Sequence, residues 1–110
     1  MLEPEDFDIG RSLGGLSKTL EQAGKLEEAL DFAQQCLAHR LEHEGKDSWW
    51  SNRQRFDTAR ILQKLSRNIE ALSMLDELQA SMGGQGEPDD DDRKLLADAK
   101  ALRQALNQNT

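Results

Sequence analysis

Apolar residues recur every three or four positions along most of the chain, which is the spacing of amphipathic α-helices. Five such runs follow one another between Leu13 and Leu106. The runs are Leu13, Leu16, Leu20 and Ala23; Leu26, Ala29, Leu30, Ala33, Leu37 and Leu41; Ala59, Leu62 and Leu65; Ile69, Leu72, Leu75, Leu78 and Met82; and Leu95, Leu96, Ala99, Leu102 and Leu106. No segment alternates with the two-residue period of a strand, and β-branched residues are rare. The pattern therefore predicts an all-α protein.

Glycine, proline and short polar residues separate these runs. The breaks fall at Gly24, Gly45–Ser48, Ser66–Asn68 and Gly83–Pro88. Gly24 is placed to end the first helix with positive φ, and Asp47 or Ser48 to cap the start of the third. Asp89–Asp92 put negative charge at the start of the fifth helix, where the helix dipole favours it.

The chain repeats itself at an offset of 42 residues. This offset aligns the segment 24–30 with 66–72, Arg11 with Arg53, and Lys18 with Arg60. Self-similarity at a fixed period indicates stacked helix pairs, because one such pair cannot bury its apolar face alone.

The stretch from Leu16 to Leu30 resembles the tetratricopeptide repeat signature. Leu16 precedes a small residue, and Leu20, Gly24 and Ala29 occupy the large, glycine and alanine positions. The stretch 58–72 is similar, with threonine at the leucine position and serine at the glycine position. The period of 42 is similar to that of the long-helix repeats of the kinesin-light-chain type and of many bacterial relatives. The resemblance implies a single domain over 1–110 that forms a right-handed helical array. Repeat 1 spans about 9–50, repeat 2 about 51–88, and a capping helix about 89–107.

Positive charge is concentrated on the predicted third helix, although the whole chain carries a net charge of -7. Arg53, Arg60 and Lys64 share one face of this helix with Asp57. The resemblance implies that the first helix of each pair lines a concave groove. In that groove Arg11, Lys18, Arg53, Arg60 and Lys64 would supply positive charge, and Phe56 would supply an apolar anchor. The alternative is a solvated face, or arginines paired with the acidic second helix.

Gly14 and Gly15 lie side by side in the predicted first helix, where each costs about 1 kcal/mol relative to alanine. One interpretation is that a ligand backbone approaches the groove closely at this point. The other is that the glycines loosen or break the helix, or make room for a bulky neighbour.

The sequence thus predicts a non-catalytic adaptor whose basic groove binds an acidic peptide or helix. Glycine, lysine, phenylalanine and aspartate stand where the family's carboxylate clamp has lysine and asparagine, which disfavours clamp-type recognition. Self-assembly is an alternative, because repeat folds generally need about three repeats and this chain has two and a half. A further alternative is that the chain is a fragment of a longer array. Replacing Arg53 and Arg60 together with alanine is expected to weaken ligand binding at low salt.

Two histidines, two tryptophans and the single cysteine are further candidate residues. His39 and His43, spaced i,i+4, can present two metal ligands on one helix face, so a metal-responsive regulator is a further alternative; no third ligand is identifiable. Of Trp49 and Trp50, one is expected to pack between helices, and exposure as a partner anchor is the less favoured interpretation of the other. Cys36 is expected to be a small buried hydrophobic residue.

Composition excludes several classes of function. The chain has 21 Asp and Glu residues but only 14 Lys and Arg residues. This acidic balance argues against a general nucleic-acid-binding protein, which needs a basic surface. No apolar run has the roughly 18 residues needed to span a membrane, and no signal-like segment starts the chain. One cysteine excludes an internal disulfide and fits a reducing compartment, so we expect a cytoplasmic protein. We also expect no cofactor. Readable catalytic motifs and phosphate-binding loops are absent, which predicts that the protein is not an enzyme.

Overall fold

Five α-helices make up the part of the chain described by the computed structural model, residues 4–108, with side chains described from residue 8 onward. They are α1 (Pro4–Gln22), α2 (Leu26–Glu44), α3 (Trp49–Lys64), α4 (Asn68–Gly83) and α5 (Asp90–Gln108). Residues 4–108 contain no strand, so the all-α prediction is confirmed. The helices begin and end close to the positions that the breaks predict, except that α1 already begins at Pro4, well before Leu13, the first residue of its apolar run.

Each helix packs against the next one along the chain, and α5 contacts both α3 and α4. The short connections make consecutive helices antiparallel neighbours. The core lies among α2 to α5, where Leu62, Leu75, Leu78, Leu95 and Leu106 are almost completely buried. This order of packing is compatible with a helical repeat.

The turn within each helix pair has the same hydrogen bonds at the same 42-residue offset. The amide of Lys25 donates to the carbonyl of Leu20 at 2.9 Å, and the amide of Arg67 donates to the carbonyl of Leu62 at 2.8 Å. Gly24 has the positive φ of +80° that its place at the helix end predicts. Its counterpart Ser66 adopts φ +61°, an unusual angle for a residue with a Cβ atom. The sequence repeat is therefore also a repeat of backbone geometry.

Polar side chains cap α3 and α5 at the predicted places. The Ser48 hydroxyl accepts a hydrogen bond from the Ser51 amide at 3.0 Å, which selects Ser48 over Asp47 as the cap of α3. At the start of α5, the Asp89 carboxylate accepts from the Asp92 amide at 2.8 Å. Both caps satisfy amides that have no partner within the helix.

Three residues of the predicted apolar faces do not pack inward. Leu16 is 48% exposed, Ala23 is exposed, and Ile69 is 86% exposed. The face of α1 that contacts α2 is instead the one that carries Gly10 and Ser17, and the Ser17 hydroxyl donates to the Ala29 carbonyl at 2.8 Å. The prediction that Leu16 and Ala23 mark the packing face is therefore wrong, because glycine and a bonded hydroxyl allow α1 to approach α2 closely.

α5 uses its own apolar spacing rather than the 42-residue register. Leu95, Ala99, Leu102 and Leu106 are its buried residues, as its apolar run predicts. Lys100, which the repeat offset would place in the core, is exposed. The helix therefore covers the end of the core without repeating the pattern of α1 and α3.

Candidate functional site

A cleft of about 300 Å³ lies between α1 and α3, with part of α2 in its wall. Its described lining residues are Arg11, Gly14, Gly15, Ser17, Lys18 and Glu21 of α1, Cys36 and Arg40 of α2, and Trp49, Trp50, Arg53, Gln54, Asp57 and Arg60 of α3. Among them are five cationic side chains and two carboxylates. The α1–α3 cleft is therefore lined by surplus positive charge in a chain of net charge -7.

The cleft gathers four of the six groove residues expected from the sequence. Arg11, Lys18, Arg53 and Arg60 line it, whereas Phe56 and Lys64 lie outside its lining. Phe56 is half-buried against the core, and its ring centre lies 5.5 Å from the guanidinium carbon of Arg53 and 5.8 Å from that of Arg60. The Phe56 ring therefore makes cation–π contacts with both arginines.

Glu21 of α1 holds two of the expected binding cations. This residue is only 7% exposed, and its carboxylate accepts hydrogen bonds from Arg60 Nε, Arg60 Nη2 and Lys64 Nζ, each at 2.8 Å. The hydrogen bonds from Arg60 and then Lys64, opposed by partial burial, lower the pKa of Glu21 to about 2. Because Arg60 and Lys64 are paired with α1, they add little free charge to the cleft.

Asp57 extends this ion cluster along α3. Its Oδ1 atom accepts from Arg60 Nη1 at 2.8 Å and lies 3.4 Å from Arg53 Nε. The pairing of these arginines is therefore with Glu21 of α1 and with Asp57 of α3 itself, and not with the acidic second helix that the alternative interpretation named. We refer to Glu21, Asp57, Arg53, Arg60 and Lys64 as the Glu21 ion cluster.

Arg11 and Lys18 are the cleft cations that keep their charge available. Both are exposed, and neither forms an ion pair with another described residue. They lie seven residues apart on α1, which is two helical turns, or about 10.5 Å. Two solvated cations thus stand on one face of the cleft at a defined separation.

The surface between these two cations is bare backbone. A Cβ atom built on Gly14 would meet Cys36 Sγ at 3.6 Å and Gln54 Oε1 at 3.7 Å, and one on Gly15 would meet nothing within 4 Å. Neither glycine is therefore needed for packing, and α1 continues through both. Gly10 differs, because a Cβ atom there would lie 2.8 Å from the guanidinium carbon of Arg40. The expectations that Gly14 and Gly15 break the first helix or make room for a bulky neighbour are therefore wrong.

Gln54 presents an acceptor next to this bare surface. The side chain is 7% exposed, and its Nε2 atom donates to the Ala33 carbonyl at 3.5 Å and to Thr58 Oγ1 at 3.4 Å. Its Oε1 atom accepts no hydrogen bond from any described residue and lies beside the open space above Gly14. Since this amide oxygen borders the open cleft, its lone pairs can accept a hydrogen bond from a ligand N–H in place of water.

The far wall of the cleft is aromatic and cationic. Arg40 Nη1 donates to Glu44 Oε1 at 2.9 Å, and the guanidinium carbon of Arg40 lies 5.2 Å from the ring centre of Trp50. Trp49 is half-buried against the core and Trp50 is exposed, which confirms that one of the two packs inside. The sequence did not predict Arg40, Gln54 or Ser17 as cleft residues. Each is a polar residue that contacts a neighbouring helix, and no local sequence motif marks such a contact.

Cys36 lines the cleft, whereas His39 and His43 are not among its lining residues. Cys36 is buried, as predicted, and burial raises the pKa of its thiol, which donates to the Gly10 carbonyl at 3.3 Å. The imidazole rings of His39 and His43 have their centres 4.3 Å apart. Within the described residues, no group of three or more His, Cys, Asp or Glu side chains is placed to hold a metal ion.

Comparison of the chain with known protein families, with curated proteins and with solved structures gave no match. Within the described residues, none of the helices combines the length and the apolar character needed to cross a membrane.

Proposed function

We propose that this chain is a non-catalytic interaction module of the tetratricopeptide type, and that the α1–α3 cleft binds an acidic segment of a partner protein. The observation that carries the proposal is the cation surplus of the cleft against the overall net charge of -7. An anionic ligand is drawn to such a local positive region even when the remaining surface repels it.

The repeated turn geometry supports the choice of repeat type. The hydrogen bonds and the positive φ values at Gly24 and Ser66 recur at the period of the sequence repeat. In this proposal α1 and α3 are the first helices of two pairs in a right-handed array, and α5 is the capping helix. The cleft then corresponds to the concave side of the array.

Binding can be tested by titrating the protein into a fluorescently labelled acidic peptide pool and into a basic pool of equal length. We expect micromolar affinity for the acidic pool, equivalent to about −8 kcal/mol, and loss of binding between about 50 mM and about 500 mM salt. The double variant Arg11→Ala/Lys18→Ala should weaken this binding at least about tenfold. The charge-matched control Lys94→Ala/Lys100→Ala removes two exposed cations of α5 outside the cleft and should have no such effect. Equal effects of both double variants would reject the cleft as the site.

Self-association through the outer side of α1 is a second candidate function. Ile9 and Leu16 are about half exposed, whereas their counterparts at offset 42, Ser51 and Thr58, are fully buried in α3. This apolar stripe occupies the position at which a further helix would pack in a longer array. Sedimentation at micromolar concentration distinguishes the two candidates: a dimer that Leu16→Glu dissociates supports self-association, and a monomer contradicts it.

A further inference from the structure

We infer that the acidic ligand lies in the α1–α3 cleft as an extended, polyproline II-like strand with two acidic residues three positions apart. This inference rests on the proposed function, and it specifies the conformation and charge spacing of the partner segment. It follows from three features of the cleft: two available cations, the bare backbone between them, and an acceptor without a donor.

The two available cations set the charge spacing. Arg11 and Lys18 are about 10.5 Å apart along α1. In a polyproline II strand, residues i and i+3 point to the same side and are about 9.3 Å apart, within the reach of flexible Arg and Lys side chains. In a β-strand, residues i and i+3 point to opposite faces, and i and i+2 are only about 6.6 Å apart. In a helix the matching spacing is i and i+7.

The acceptor selects an extended strand over a helix. A helical ligand uses its own backbone amides for internal hydrogen bonds, whereas those of a polyproline II strand are free to donate. Gln54 Oε1 lacks a donor among the described residues and borders the space above Gly14. A strand that runs along α1 past Gly14 and Gly15 can bring one amide to this oxygen, because no side chain of α1 stands between them.

The Glu21 ion cluster limits the ligand at the other end of the cleft. Glu21 and Asp57 are the two carboxylates among the lining residues. They form ion pairs with Arg60, and Asp57 also pairs with Arg53, so these arginines have less positive charge to offer a ligand. An acidic ligand residue placed there meets two carboxylates instead of two open cations. The ligand's acidic pair is therefore expected over Arg11 and Lys18, and not over the basic stripe of α3.

The test uses a series of labelled peptides of about ten residues that have the same composition and two glutamates each, spaced by two, three, four or seven positions. We expect the three-position peptide to bind at least about fivefold more tightly than the others, since a misplaced ion pair loses about 1 kcal/mol. Arg11→Ala/Lys18→Ala should abolish the preference, and the control Lys94→Ala/Lys100→Ala should retain it.

The hydrogen bond to Gln54 is tested without changing the protein, by methylating single backbone amides between the two glutamates. Methylation of the amide that binds Gln54 should weaken peptide binding about fivefold, whereas methylation of the flanking amides should leave the affinity nearly unchanged. Gly14→Ala places a methyl group 3.7 Å from Gln54 Oε1 and should produce a similar loss while it leaves the melting temperature equal or higher.

The outcomes separate this inference from the proposed function. Tightest binding of the seven-position peptide would show a helical ligand and overturn the inference, and equal binding of all spacings would also overturn it. In both cases, loss of binding in Arg11→Ala/Lys18→Ala would leave the proposed function standing. Failure of every acidic peptide to bind would reject both proposals.

Discussion

Glu21 is the single residue that most changes the interpretation of the charges on α1 and α3. Its carboxylate binds Arg60 and Lys64, two of the cations expected to contact a ligand. The arginine double variant Arg53→Ala/Arg60→Ala would therefore remove a ligand contact and also leave a buried carboxylate without its main partner. Arg11 and Lys18 give the cleaner test of binding, because neither takes part in the Glu21 ion cluster.

The lowered pKa of Glu21 predicts a specific loss of stability in acid. The unfolded carboxyl titrates near 4.5 and the folded one near 2. The stabilisation is therefore complete above pH 4.5 and decreases as the pH falls toward 2. We expect Glu21→Gln to lower the free energy of unfolding by about 1–2 kcal/mol at neutral pH, a modest value because Arg60 and Lys64 are partly exposed. Urea unfolding of both proteins over this pH range should show the difference shrinking in acid; a constant difference would contradict the assignment.

Ser66 predicts a stabilising substitution at the turn between α3 and α4. Its φ of +61° is strained for a residue with a Cβ atom, whereas Gly24 at the equivalent place adopts +80° without that cost. Ser66→Gly should raise the free energy of unfolding by about 0.5–1 kcal/mol. This net value already includes the destabilising effect of the greater conformational freedom of glycine in the unfolded chain. Gly24→Ser is the reciprocal control and should be destabilising. Thermal melts check both variants, and a lower melting temperature for Ser66→Gly would be inconsistent with this turn.

At the scale of elements, helix boundaries and turns could be predicted from the sequence because their determinants are local. The apolar spacing located all five helices, and Gly24 and Ser48 have their expected roles at helix ends. The face on which α1 packs could not be predicted in this way. Its contacts depend on Gly10 and Ser17, which carry no hydrophobic signal, and on how far α2 allows the two backbones to approach.

Leu75 and Ile69 provide a test of the packing within α4. Both belong to its apolar run, but Leu75 is fully buried and Ile69 is 86% exposed. Leu75→Ala should destabilise the fold by about 2–5 kcal/mol because it opens a cavity in the core. Ile69→Ser should change stability by no more than about 0.5 kcal/mol. Denaturant midpoints of the two variants decide this, and a large cost at Ile69 would show that its side chain is covered in solution.

At the scale of the whole molecule, the candidate site could be predicted from the sequence only in part. The repeat offset brought Arg11 into register with Arg53, and Lys18 with Arg60, and all four line one cleft. The offset could not reveal which cations are paired, since the Glu21–Arg60 ion pair joins residues 39 positions apart and depends on the relative rotation of two helices. Gln54 was missed for the same reason.

The most direct measurement of the central claim is a two-dimensional ¹H–¹⁵N NMR titration of the labelled protein with the acidic peptide pool. We expect shifts concentrated at the backbone amides of Arg11, Gly14, Gly15 and Lys18 and at the indole N–H of Trp50, with α5 nearly unchanged. Shifts centred on α5 or on the outer face of α1, or no shifts at peptide concentrations of about 1 mM, would contradict binding in the α1–α3 cleft.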